Sequence, residues 1–266
     1  MKVIFTISRY SYLYFIVRVY KFVCMNVWLN KILKRFSGLC ESIIDFIYPP
    51  TCILSEEYIG NENSNKYIKD DKFDLLFRIS EKDKTDLKNK VFSEYSFSLF
   101  AFYELDDFSK ILYNIKYGGM RNLAVYMGEI LGLEYRKALE ENQFPEFEMI
   151  IPVPLHKSRF RERGFNQSQL ICRGFSNITG IITVEDLLIR VKNTSSQTRL
   201  SKSGRRQNIE NAFILNKKYT EFIRNKNVIL LDDVITTGAT INEAVSILGE
   251  NGAGKIMCCS LAMARD

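Results

Sequence analysis

Apolar positions recur at helical spacing between residues 26 and 47: Val27, Leu29, Ile32, Leu33, Phe36, Leu39, Ile43, Ile44 and Ile47, with polar residues between them. The pattern predicts an amphipathic helix, stopped by Pro49-Pro50. Residues 55–90 are polar, rich in Lys, Asp, Glu and Asn, and carry no period, so they read as a loop or weakly ordered linker. Tyr95 to Tyr103 alternates aromatic and small residues, as a strand does. Helices are predicted over 106–117 and 123–139, parted by Gly118-Gly119. A strand–loop–helix rhythm follows. It comprises a strand at 147–153, a helix at 165–178 closed near Gly180, and short extended pieces at 181–184 and 187–191. A polar basic loop spans 193–211, a wholly apolar strand 228–231, a helix 241–248, and a second apolar strand 255–263. Apolar strands interleaved with helices predict an α/β protein whose mostly parallel sheet is covered on both faces.

Composition is that of an ordinary globular chain: 266 residues, 46% hydrophobic and 26% charged. The placement of charge adds more than the net +6. Residues 151–210 hold eleven Lys or Arg against four acids, and residues 1–50 hold seven against two, so the rest of the chain is acidic on balance. A local basic surplus suits a pyrophosphate or a nucleic-acid backbone, and equally a solvated basic face. Six cysteines are scattered without a C-x-x-C pair, which encodes neither a zinc site nor a redox motif and fits reduced thiols in a cytoplasmic protein. Tyr10 to Val17 is apolar but bracketed by Arg9, Arg18 and Lys21, too short to span a bilayer and without a signal-peptide cleavage pattern. A helix lying on the inner membrane surface and a translation start at Met25 both fit this segment.

The chemistry concentrates in Val228-Ile-Leu-Leu-Asp-Asp-Val-Ile-Thr-Thr-Gly-Ala-Thr240. An apolar strand delivers two carboxylates, Asp232 and Asp233, where the chain is expected to turn so that both reach one ligand. Carboxylates suit vicinal hydroxyls or metal-bound water. Thr236, Thr237, Gly238, Ala239 and Thr240 then open a helix, whose free amides and hydroxyls make an anion site. The acids would repel a bare phosphate, so the ligand should carry hydroxyls beside its phosphate, as a ribose 5-phosphate does. Other phosphate motifs are absent: there is no P-loop, Gly252-Ala-Gly254 lacks the third glycine of a dinucleotide fingerprint, and no G-x-S-x-G elbow occurs. The single histidine, His156, rules out schemes needing two, and a polar loop position suits it better than catalysis.

Residues 228–240 resemble the phosphoribosyl diphosphate (PRPP) signature of type I phosphoribosyltransferases. The wider set resembles the ComF family, competence-associated proteins also called GntX-like. That set is Ile151-Pro-Val-Pro-Leu-His-Lys-Ser-Arg-Phe-Arg-Glu-Arg-Gly-Phe-Asn-Gln167, Gln197-Thr-Arg-Leu200, Arg205, Arg206, Asn208 and Ala212-Phe213. The resemblance implies a type I phosphoribosyltransferase fold over 91–266 and a degenerate N-terminal helical and linker segment over 1–90. It implies that Asp232 and Asp233 hold the ribose hydroxyls with Mg²⁺ nearby, and that residues 236–240 hold the 5-phosphate. Lys157 and Arg159 fall at the pyrophosphate loop. Arg199, Lys202, Arg205 and Arg206 fall in a mobile loop that closes over substrate, Arg199 with a catalytic role and Arg205 binding PRPP. The family often begins with a four-cysteine zinc ribbon; here Cys52 is kept, Ser55 replaces its partner, and no second pair follows, so no zinc is expected. The implied activity is PRPP binding, with phosphoribosyl transfer and pyrophosphate release as its catalytic form. The acceptor and the oligomeric state are not specified. The alternative is a non-catalytic module of DNA uptake that contacts single-stranded DNA or a competence helicase.

Overall fold

The computed structural model describes residues 49–192 and 211–265, except 61, 77 and 105. The predicted helix at 26–47, the segment before Met25, and Arg199, Lys202, Arg205 and Arg206 lie outside the described residues. Two compact units divide the chain, residues 1–69 and 70–266. Among the described residues no helix is long and apolar enough to cross a membrane.

In the first unit, residues 49–69 form a hydrogen-bonded turn structure, of which residues 55–69 were expected to be linker. Thr51 and Tyr58 make an antiparallel bridge. The Asn65 side-chain oxygen accepts from the amides of Tyr67 and Ile68, both at 2.8 Å, and the Lys69 amide donates to Cys52 Sγ at 3.4 Å.

The second unit begins with two helices, α1 (Asp70–Asp74) and α2 (Glu81–Lys90), in the other half of the expected linker. Local chemistry rather than periodicity starts α2. Ser80 and Asp83 form a reciprocal capping box, acids occupy the first turn, and Lys88 and Lys90 occupy the last. Leu87 is its one buried apolar side chain, so a search for a hydrophobic period passes over it.

Next come β1 (Tyr95–Phe102), α3 (Asp107–Lys116), α4 (Arg121–Glu140), β2 (Met149–Pro152), α5 (Lys157–Arg163) and α6 (Gln167–Thr179). The remainder is β3 (Ile182–Thr183), β4 (Leu188–Arg190), β5 (Phe213–Leu215), β6 (Val228–Ile235), α7 (Ala239–Glu250) and β7 (Ile256–Ala264). Five parallel strands form the main sheet in the order β1-β7-β6-β2-β3, and β4 pairs antiparallel with β5. The central strand is therefore β6, with Val228 to Leu231 fully buried, as a sheet covered on both faces requires.

β6 continues past Leu231 to Ile235, so Asp232 and Asp233 lie within the strand, not at a turn. The ladder carries on because Asp232 pairs with Ser260, Val234 with Ala262 and Ile235 with Met263. The two acids thus alternate in direction. On one side of the sheet α4 and α6 cross with backbones nearly touching. A Cβ on Gly128 would sit 2.1 Å from the Ile171 carbonyl oxygen, and one on Gly174 would sit 1.9 Å from that of Val125.

Candidate functional site

β6 carries its two acids toward the C-terminal end of the parallel sheet, where ligands of open α/β sheets bind. Asp232 Oδ1 accepts from the Ser168 hydroxyl at 3.0 Å and from the Asp233 amide at 2.9 Å. Asp233 is buried and forms an ion pair with Lys116 at 2.8 Å, while Gln167 Nε2 approaches it at 3.4 Å. Burial, and next the Asp233 charge, push the Asp232 carboxyl above the ordinary carboxylate range. Burial also opposes ionising Asp233, yet the Lys116 ammonium holds it below its usual value. The pair is thus unequal: Asp233 has a fixed counter-cation at 2.8 Å, and half-buried Asp232 is held by hydrogen bonds from the Ser168 hydroxyl and the Asp233 amide.

Beyond the strand, Thr236 is exposed and Gly238 turns the chain with φ +77°. A side chain there would meet the Lys90 carbonyl oxygen at 2.0 Å, so glycine is required by conformation and by space. The last turn of α2 buttresses this loop. Asn242 Nδ2 donates to the Lys90 carbonyl at 2.8 Å, and its Oδ1 accepts from the Phe92 amide at 2.7 Å. Gly238 begins α7 without a side-chain cap; only Thr237 Oγ1 approaches the Ala239 amide, at 3.4 Å. The positive end of α7 therefore faces the loop of hydroxyls.

Basic groups flank the acids. Lys157 and Arg159 open α5, directly after β2, the strand beside β6. His156 caps that helix, its Nδ1 accepting from the Ser158 amide. Arg190 on β4 is buried, with its guanidinium 5.3 Å from the Phe213 ring centroid. Burial and the neighbouring Arg159 lower it, and Asp232 acts in the opposite sense, which puts Arg190 in the field of that acid. Arg163 supplies positive charge at Asp233. A cavity of about 850 Å³ lies elsewhere, along the outer edge of β1. Chemistry rather than volume selects the acid pair.

The phosphoribosyl transferase domain family matches residues 180–266. Competence protein F of Haemophilus influenzae is 40% identical over 138 residues, 52% of this chain and 60% of that protein. DNA utilization protein YhgH of Escherichia coli O157:H7 is 31% identical over 148 residues, 56% of this chain and 63% of that protein. The chain is therefore similar to ComF-family competence proteins over about half its length, and its residues 180–266 are phosphoribosyltransferase-like. It spans about three fifths of the length of these relatives (60% and 63%). Its fold is that of type I phosphoribosyltransferases, a mostly parallel central sheet flanked by helices. The glutamine PRPP amidotransferase of B. subtilis, solved with ADP and GMP, is similar at 21% identity and a TM-score of 0.34, over 51% of this chain and 25% of that one, too loosely to weigh here.

The structure gathers Asp232, Asp233 and residues 236–240 on one strand–loop–helix. It sets Arg159 beside Arg190, and leaves Lys157 exposed on the first turn of α5. Sequence reasoning missed Lys116, Gln167, Ser168, Arg163 and Arg190. Gln167 and Ser168 open α6 after the capping Asn166, whose side chain accepts from Ser168 N. Lys116 ends α3 just before Gly118-Gly119, a position that signals a helix end but not a partner 117 residues away.

Proposed function

We propose that the chain binds PRPP, or another ribose 5-phosphate ligand, together with Mg²⁺. The carrying observation is the unequal acid pair on the central strand, continuous with the uncapped start of α7. Asp232 and Asp233 would take the ribose hydroxyls, and Thr236 to Thr240 the 5-phosphate. The oxygen-only donor set fits magnesium, which commonly binds through one or two carboxylates plus ligand phosphates. Gln167 supports this fit: its Oε1 is buried without a hydrogen-bond partner, and a hydroxyl or cation-bound water beside Asp233 would satisfy it. Bound Mg²⁺ would supply charge neutralisation to the diphosphate oxygens.

Catalysis, in this reading, is phosphoribosyl transfer. A nucleophile displaces pyrophosphate from the anomeric carbon through an oxocarbenium-like transition state, by analogy with glycoside chemistry. The protein's part is to fix the ribose and to meet the leaving diphosphate with Lys157, Arg159 and Arg190. Arg199 and Arg205 are assigned to the same task on the resemblance alone. A place in competence and DNA utilization follows from the names of the relatives.

Calorimetry with PRPP and Mg²⁺ tests the site. Binding should require the cation and disappear when Asp232→Asn is combined with Asp233→Asn; binding indifferent to both changes overturns the reading. A second reading, contact with single-stranded DNA, is favoured by the four basic residues within the seven of α5. It requires DNA affinity that falls steeply with salt and weakens when Lys157 and Arg161 are replaced by Gln.

A further inference from the structure

Lys116 ends α3, and its ammonium lies 2.8 Å from Asp233 Oδ2. Gln167 Nε2 approaches the same oxygen at 3.4 Å, while Asp233 Oδ1 accepts from the Val234 amide at 2.9 Å. Oδ2 is therefore the oxygen that faces the site rather than its own strand. The Lys116 charge also favours the ionised form of Asp232, so one ammonium serves both carboxylates. Shielded ion pairs are commonly structural. Here a second observation points to a ligand. Gln167 is buried at 4% exposure, and its Oε1 has no hydrogen-bond partner although its Nε2 reaches Asp233. An acceptor left open beside an acid pair marks a place for a cation or its water that the lysine does not fill.

The fold lets Lys116 withdraw. Buried Phe108, Ile111, Leu112 and Ile115 anchor α3, whereas residues 117–120, just beyond Lys116, are exposed. The lysine side chain can therefore rotate into solvent without moving the core. A divalent cation needs close contact with carboxylate oxygen, about 2.0–2.1 Å for Mg²⁺. Placed on Asp233 Oδ2, it would stand beside an ammonium that already touches the same oxygen. Like charges at that range repel strongly in a shielded site, so the two cations exclude each other.

We infer that Lys116 is a tethered counter-cation, which occupies the acid pair in the free protein and is displaced when a divalent cation enters. The chain thereby lowers its own affinity for the bare metal and keeps Asp233 compensated when the site is empty. This inference rests on the reading of the acid pair as a cation site, and adds to it the residue that sets when the cation is accepted.

The test uses Mn²⁺ alone as the probe, titrated into the full chain and followed by the electron paramagnetic resonance signal of the free ion. Lys116→Met should bind Mn²⁺ about tenfold or more tightly than wild type, the scale of one charge-assisted hydrogen bond, and adding Asp233→Asn should abolish that gain. Saturating Mn²⁺ should also raise the thermal midpoint of Lys116→Met more than that of wild type, because a ligand of the folded state stabilises it. A measurement on wild type alone covers a variant that fails to fold. Acylation of Lys116 by an activated ester, mapped by mass spectrometry, should rise when Mn²⁺ saturates the site. Equal affinity in the two proteins, weaker binding by the variant, or Lys116 labelling that ignores Mn²⁺ overturns the inference. No Mn²⁺ binding by either protein overturns it together with the cation half of the ribose-phosphate reading. PRPP titrated with Mg²⁺ into wild type separates the two. Binding there, with Mn²⁺ affinity unchanged in Lys116→Met, removes only the tethered cation; no binding there, beside a Mn²⁺ gain in the variant, removes only the ribose phosphate.

Discussion

At the scale of single residues, the site depends on which positive groups compensate two neighbouring carboxylates. Lys116 compensates Asp233 within the protein, and its side chain is mostly buried at 24% exposure. Removing it leaves Asp233 buried beside a second acid, so Lys116→Met should lower stability by about 2 kcal/mol, the scale for losing one partner of a shielded, charge-assisted pair. Urea unfolding without ligand measures this, and an unchanged midpoint would show that the pair contributes nothing net. The acids themselves were legible in the sequence because an Asp-Asp pair after four apolar residues has no packing use. Their inequality was not legible, because it arises from Lys116, Ser168 and Gln167, which only the folded chain brings near.

Among the elements, α2 shows where periodicity fails. Its apolar content is one buried leucine, yet it closes on the site: its final carbonyl, on Lys90, supports Gly238 and receives Asn242. Asn242→Ala removes two hydrogen bonds that tie α7 to the end of α2 and to the chain just after it, a loss of about 1–3 kcal/mol in total. Backbone amides of residues 236–240 should then exchange faster with solvent. Unaltered exchange would show that the loop holds its shape without Asn242. β6 shows the opposite limit. Its apolar run located the central strand, but Asp232 and Asp233 hid three further ladder pairs, because backbone pairing with β7 does not require apolar side chains. The helices α3, α4, α6 and α7 were legible because each buries a continuous apolar stripe. No such stripe marks α5, whose seven residues bury none of their side chains.

For the molecule as a whole, Arg265 at the end of β7 ties the C-terminal strand to α2. Its guanidinium donates to both Asp83 oxygens, from Nε at 2.9 Å and from Nη2 at 2.8 Å, and Asp83 is buried. The Arg265 hydrogen bonds hold the Asp83 carboxyl well below the usual carboxylate range. A carboxylate with a depressed folded pKa stabilises the protein above its unfolded value, and that contribution fades as pH falls toward the folded value. Stability should therefore decline below about pH 4, the unfolded value of an aspartate. In Arg265→Leu this acid limb should flatten, as followed by thermal unfolding across pH. An unchanged limb would assign the acid sensitivity to other groups.

The glycine crossing of α4 and α6 bears on the site from a distance. Gly128 and Gly174 let the two backbones meet with no side chain between them, so nothing compressible separates the helices. A methyl group added at Gly174 can be accommodated only by sliding or tilting α6 as a rod. That rod begins with Gln167 and Ser168, the residues that touch Asp233 and Asp232. The crossing thus works as a fulcrum, through which the thickness of one residue in the middle of a helix sets the spacing of hydrogen bonds at its tip.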